Sequence, residues 1–257
     1  MRVQACLVRH GVLLLTAGHI STIACANEGL PQDLVPAQAL QSASATSLAP
    51  GLGVGDIVFI RVRARPFREV ARATNSWTNH VGIVVDTGGR EPAIAESRFP
   101  LAGVTTWSRF VERSEAGRVS VLRLKTALTS EQQRRVIEAA QRRYGRLYDT
   151  GFDLHSRREF CSRFVREILA EATGTEVGDV ETFSQLLGRN PGADLAFWRS
   201  WYLGRIPWER RTVTPAAMLR SPQLQTVFDG LVALDEGAVR NKPGRVVSVP
   251  ITPSEPS

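Results

Sequence analysis

His80-Val81-Gly82-Ile83-Val84-Val85-Asp86, then Thr87-Gly88-Gly89, then Pro92-Ala93-Ile94-Ala95-Glu96-Ser97 is the stretch on which the fold turns. Both apolar runs are β-branched, too short for a stable helix, and separated by a glycine-bearing loop, so they read as an antiparallel hairpin with a three-residue turn. With Thr87-Gly88-Gly89 as the turn, Asp86 pairs with Arg90, and counting back sets His80 directly across from Glu96. Directly opposed side chains on one face have Cβ atoms about 4.5–5.5 Å apart, close enough for a carboxylate to hold an imidazole in one tautomer. Gly82 falls on the same face and is expected to leave room for a helix to approach. A slip of one residue would send His80 and Glu96 to opposite faces.

Outward from the hairpin, Gly55-Asp56 precedes a strand at 57–62, and Arg61, Arg63, Arg65, Arg68 and Arg72 follow as a basic segment expected to be a solvated loop. A further strand is expected at 119–125. Thr129 and Gln132 form a capping box ahead of a helix that runs to about Tyr144 and stops at Gly145. Phe160, Cys161, Phe164, Val165, Ile168, Leu169 and Ala172 recur at helical spacing, with Gly174 as the stop. Beyond them, Phe197, Trp198, Trp201, Tyr202, Ile206, Pro207 and Trp208 are expected to pack as a satellite core or to line a groove. Strands and helices are mixed rather than strictly alternating, which argues for an α+β fold with a largely antiparallel sheet.

The chain has 257 residues, 43% hydrophobic and 22% charged, a composition that excludes collagen-like, coiled-coil and wholly disordered chains. Lys125 and Lys242 are the only lysines, which disfavours Schiff-base chemistry. A formal charge of +7 favours anionic partners such as membrane lipid, cell-wall polymer or nucleic acid; no helix-turn-helix, finger or aromatic sheet motif supports the last. At the N-terminus, Arg2 and Arg9 precede an apolar run too short to span a membrane, and Ala24-Cys25-Ala26 has the form of a signal-peptidase site. The domain reading is therefore a signal peptide at 1–26, a linker at 27–50, a folded domain at 51–230 and a flexible tail at 231–257. Export to the periplasm is expected, with lipid anchoring through Cys25 as the rival processing route.

Cleavage after Ala26 removes Cys6 and Cys25 and leaves Cys161 as the only thiol, without a disulfide partner in an oxidising compartment. It is either a buried apolar residue or a nucleophile, and a nucleophilic thiol needs a histidine within reach, itself oriented by a third polar group. Only His80 and His155 remain, and the hairpin register favours His80, with Glu96 as the orienting acid. Ser156 and Glu159 also fit a capping box, which would put Cys161 in the second helical turn; the preferred reading discards that cap and sets Cys161 at the helix start, where the dipole favours a thiolate. Two histidines and one cysteine show no metal-ligand spacing, and no cofactor or metal is expected.

The ordered set Gly55-Asp56-Ile57, Asn79-His80-Val81-Gly82-Ile83, Ala95-Glu96-Ser97, Tyr144-Gly145-Arg146-Leu147-Tyr148-Asp149, Phe160-Cys161-Ser162, Thr214-Pro215 and Ser221-Pro222-Gln223-Leu224 resembles the YiiX/YebB-like permuted papain-fold cysteine hydrolases, relatives of the NlpC-type cell-wall peptidases. The resemblance covers roughly 51–230. It implies a five- or six-stranded antiparallel core with the cysteine helix packed against it, a Cys161 nucleophile, a His80 base and a Glu96 orienting acid, with Tyr148 and Asp149 as candidates for shaping the substrate pocket. One departure is Arg163, where the family commonly has Glu. The implied activity is an exported thiol hydrolase that cleaves an amide of peptide, cell-wall or N-acyl type through an acyl-enzyme, with peripheral membrane contact among its expected interactions. The alternatives are a lipid acyl hydrolase or acyltransferase with the same triad, or an inactive lipid or cell-wall binding module. N-terminal sequencing of the secreted chain should begin at Asn27; a blocked, lipid-bearing Cys25 would select the lipoprotein route, and an intact Met1 would contradict export.

Overall fold

The computed structural model describes residues 40–234. The expected signal segment, Cys25, most of the linker and the tail beyond Leu234 lie outside the described residues. The strands are β1 (Gln41–Ser44), β2 (Ile57–Ile60), β3 (His80–Asp86), β4 (Ala93–Ser97), β5 (Ala102–Thr106), β6 (Arg118–Leu124), β7 (Val180–Thr182), β8 (Arg211–Val213) and β9 (Leu224–Ala233). The helices are α1 (Ala45–Leu48), α2 (Arg65–Ala73), α3 (Trp107–Glu112), α4 (Ser130–Gln141), α5 (Cys161–Thr173), α6 (Phe183–Gly188), α7 (Leu195–Trp201) and α8 (Pro215–Leu219). The main sheet has the order β1-β9-β6-β2-β3-β4-β5, antiparallel except for the β1–β9 pair, and β7 and β8 form a separate ribbon. The α+β, mostly antiparallel class holds. The main sheet has seven strands rather than five or six, because β1 is added in parallel at one edge.

The central strands read as unbroken apolar runs because both of their faces are covered. Ile57, Phe59, Val81, Ile83 and Ala95 pack against Val136 and Ala139 of α4 and Phe164, Val165, Ile168 and Leu169 of α5. Their alternating neighbours Val58, Ile60, Val84 and Ile94 pack on the other face against Trp107 and Phe110 of α3 and Ala45 of α1. The capping box at Thr129 and Gln132 forms as expected and starts α4. Gly174 ends α5 with φ 77°, a left-handed conformation that glycine adopts without steric cost.

Three boundaries differ from the sequence reading. Gln41–Ser44 belongs to the fold, paired with Gly230–Ala233, and the indole N–H of Trp107 donates to the Ala45 carbonyl at 2.9 Å. The linker therefore ends before residue 41, and the folded chain runs past 230 to include the buried Val232. The arginine-rich segment is a helix for most of its length, not a loop. Pro66 stands in its first turn, and Phe67 and Val70 turn inward between the arginines.

Gly82 serves a different neighbour from the one expected. A Cβ there would lie 2.6 Å from Ile94 Cγ2, 2.8 Å from Phe110 Cε2 and 3.1 Å from the Ala95 carbonyl, so the missing side chain makes room for Phe110, on the sheet face away from the α5 core. Gly82→Ala should lower the unfolding free energy by about 1–3 kcal/mol through overpacking. Gly103→Ala on β5, where nothing lies within 4 Å, is the control and should change little; equal urea midpoints for the two variants would contradict this packing.

Candidate active site

His80 opens β3 and Glu96 lies near the end of β4, and the hairpin brings them together by a register the sequence count missed. The observed pairs are Ile83 with Ala95 and Val84 with Ile94, then Asp86 with Ala93 across a bulge. The connecting loop is 87–92, three residues longer than the expected turn, and the bulge takes one residue back. The net slip is two. An even slip keeps both side chains on one face, so Glu96 stands diagonal to His80 rather than opposite it, within reach of a long side chain. His80 Nε2–H donates to Glu96 Oε2 at 2.6 Å, and both side chains are buried. The second oxygen of Glu96 accepts from Arg113 Nη2 at 2.7 Å.

Cys161 is the first residue of α5, and Phe160 is the N-cap without a side-chain cap. The Ser156–Glu159 box does not form at the helix start. Glu159 is instead fully buried, with Arg146 Nη1 donating to it at 2.6 Å. Its backbone N–H donates to Leu147 O at 2.9 Å and its carbonyl accepts from Asp149 N at 2.7 Å. These bonds knit the run-in of the cysteine helix to the segment that carries Tyr148. Burial, and then the nearby Glu167 charge, push the Glu159 carboxyl above the usual range against the pull of Arg146 and Arg163.

Thiol, imidazole and phenol converge at that helix start. His80 Nδ1 is buried without a hydrogen-bond partner, and the Cys161 thiol lies near enough to act on the ring. Burial alone would lower the imidazole pKa; the hydrogen bonds and charges of Cys161 and Glu96 outweigh it and raise it from 6.5 to about 9. Burial also pushes the Glu96 carboxyl up, but the hydrogen bond and charge of His80, with Arg113 behind them, hold it below the usual range. Tyr148 is buried, lies against the thiol and the backbone N–H of Cys161, and its phenol is pushed well above its ordinary value by burial and then by the cysteine's charge.

Cys161 and Tyr148 open on a slot lined by Phe67, Phe152, Phe160, Phe183, Leu186 and Trp198, among others. The slot is narrow, about 30 Å³, and these six side chains carry no charge. Trp198 joins both expected roles of the aromatic segment, since it also packs with Phe183, Leu187 and Ile206 in a satellite core.

The structure separates the remaining candidates from this cluster. Asp149, expected at the pocket, spends both oxygens on its own loop, accepting from Gly151 N and Asp153 N at 2.9 Å each, and it does not line the slot. His155 is exposed on the loop before α5. Arg163 takes up a structural task in place of the family's usual acid. Its guanidinium donates to the carbonyls of Ser156 and Arg158, and its Nε pairs with Glu167 Oε1 at 2.6 Å, which ties the loop 153–158 to the helix. Sequence reasoning missed Arg113 and Phe110, neither of which carries a motif.

A histidine strand that precedes the cysteine helix, with the helix start facing the strand, defines a papain-like α+β domain in permuted order. The model of the permuted papain-like amidases, the YaeF/YiiX or C92 family, matches residues 52–228, and the chain belongs to that family. The Escherichia coli K12 protein YiiX is 29% identical over 173 residues, 67% of this chain and 84% of YiiX. The crystal structure of YiiX from Escherichia coli O157:H7, described as a metalloprotein, superposes with a TM-score of 0.64 at 28% identity and covers 69% of this chain and 97% of that one. The donors described for this chain do not fit a metal. Among the described residues no group of three or more His, Cys, Asp or Glu side chains is disposed to hold one, and His80 Nε2 and both Glu96 oxygens are already committed.

A histidine whose pKa rises from 6.5 unfolded to about 9 folded contributes stability that is fully present below pH 6.5 and is lost as the pH climbs through 9. Urea unfolding at pH 6 and pH 9.5 should therefore show a larger loss in the wild type than in His80→Asn. Parallel curves for the two would contradict the raised imidazole.

Proposed function

We propose that the protein is a thiol-dependent acyl hydrolase in which Cys161 is the nucleophile, His80 the general base and Glu96 the acid that orients it, acting on an amide whose acyl portion is apolar. The observation that carries the reading is the convergence at the first residue of α5 of a thiol, an imidazole already held by a buried carboxylate, and an uncharged aromatic slot. Family membership supports amide hydrolysis. The slot has room only for a small group, and its uncharged lining favours an apolar one beside the scissile carbonyl over sugar or carboxylate groups, which would lose their hydration there.

The chemistry follows from the donors. His80 Nδ1 takes the thiol proton, and the sulfur adds to the carbonyl carbon, moving the C=O π electrons onto oxygen. The backbone N–H of Cys161, at a helix start where N–H groups have no intrahelical partner, and the Tyr148 hydroxyl face that oxygen. Collapse of the adduct breaks the C–N bond, and the leaving amine takes the proton from His80. Water, deprotonated by His80, then attacks the thioester and releases the acid and the free thiol. Glu96 keeps Nε2 protonated throughout, which leaves Nδ1 as the basic nitrogen. An ester fits the same steps with an alcohol as leaving group. A binding module without catalysis is disfavoured by the three intact groups. Export, as read from 1–26, would give the enzyme access to envelope substrates.

Incubation with an N-acyl amino acid, a phospholipid ester and muropeptides in parallel, read by mass spectrometry of products, tests the reading. The N-acyl amide should release its amine. Cys161→Ala and His80→Ala should abolish turnover, Glu96→Gln should leave a measurable remainder, and Tyr148→Phe should lower kcat by about 10²–10³-fold, the usual cost of one oxyanion donor. Cleavage of muropeptides alone would sink the apolar assignment, and full activity in Cys161→Ala would sink the nucleophile.

A further inference from the structure

Glu96 is fully buried, and a buried carboxylate is tolerated only when cations or donors satisfy both oxygens. One oxygen accepts from His80 at 2.6 Å. The other accepts from Arg113 Nη2 at 2.7 Å, while Arg98, half-exposed, stands farther off with Nε at 3.6 Å. Arg113 is the C-cap residue of α3, and its guanidinium lies 5.0 Å from the centre of the Phe110 ring. That ring stacks on His80 with centroids 5.8 Å apart and planes 30° apart. Gly82 creates the space in which Phe110 lies. Arg113 therefore meets the histidine by two routes, through the carboxylate and through the ring, without touching it.

We infer that Arg113 is a positioning residue of the site, which keeps Glu96 ionised and turned so that one carboxylate oxygen is always presented to His80. The inference rests on the triad reading above and adds a fourth member to it. A cation within hydrogen-bond distance favours the charged form of a carboxylate. Without Arg113, one Glu96 oxygen is left buried and unpaired, the carboxyl takes a proton at higher pH, and a protonated Glu96 no longer supports the imidazolium. The charged groups that face Glu96 are His80 from β3, Arg113 from the end of α3 and Arg98 just past β4, with the Cys161 thiol of α5 beyond the histidine.

The test needs no substrate. The rate of iodoacetamide modification at Cys161, resolved by peptide mass spectrometry between pH 4 and 10, reports the thiolate held by His80. The wild type should show a fast plateau whose acid limb marks loss of that pair. In Arg113→Gln the limb should move up by about one pH unit, the usual scale for an opposite charge at contact. Arg113→Lys, which restores the charge, should bring it most of the way back, and Arg98→Gln should leave it in place. A merely structural arginine would lower the melting temperature without moving the limb. In a Glu96→Gln background, where the buried charge is gone, Arg113→Gln should cause no further shift, and this pair stays readable if the single Arg113→Gln chain does not fold. An unmoved limb in Arg113→Gln, or an equal shift in the Glu96→Gln background, overturns the inference while the triad stands. A wild type with only the rising profile of an ordinary thiol overturns the triad, and the inference with it.

Discussion

The complete burial of one carboxylate is the constraint around which this fold is arranged. Withdrawing Glu96 from water costs several kcal/mol unless its charge is matched, and the matching groups come from two places in the chain: His80 on the neighbouring strand and Arg113 at the end of the helix that follows β5. Each needs a specific backbone placement. The hairpin must keep His80 and Glu96 on one face, Gly82 must stay bare so that Phe110 can lie beside the imidazole, and α3 must end where Arg113 reaches the second oxygen. Errors in any of these would leave a buried charge unpaired, so the stability of the sheet and the geometry of the site are one requirement.

The cysteine arrives from the other half of the chain. Its helix starts at the end of the sheet because the residues before it are bonded to the segment that carries Tyr148, with Glu159 turned inward onto Arg146 and Arg163 holding the preceding loop. An uncapped helix start supplies free N–H groups and favours negative charge. The same few residues thus place the Cys161 thiol and bring the Tyr148 phenol against it. The aromatic slot next to them joins the Cys161 corner to the satellite core through Trp198 and Phe183.

What could be read from the sequence follows the range of the forces involved. Hairpin strands, the Thr129 cap and the Gly174 stop have local signals and were legible, and the hairpin reading that singled out His80 matches a structure in which His80 lies beside Cys161 while His155 is exposed. The exact register was not. Three extra loop residues and a bulge at Val85 carry no composition signal, and the right face emerged only because the slip was even. The edge strand Gln41–Ser44 is built of Gln, Ser and Ala and pairs with residues about 190 positions away, a purely tertiary choice. Arginines hid the inward Phe67 and Val70 of α2. Asp149 reads like a site residue, but its short side chain is satisfied by two nearby N–H groups. Arg113 is one arginine among many, and only its carboxylate partner distinguishes it.

The most direct measurement of the central claim is intact-mass analysis, after rapid acid quench, of the protein turning over an N-acyl amide. The account predicts a transient acyl adduct confined to the Cys161 peptide that accumulates when water attack is slowed and is absent from His80→Ala. Turnover with the adduct on another residue, or turnover that persists in Cys161→Ala, would contradict it.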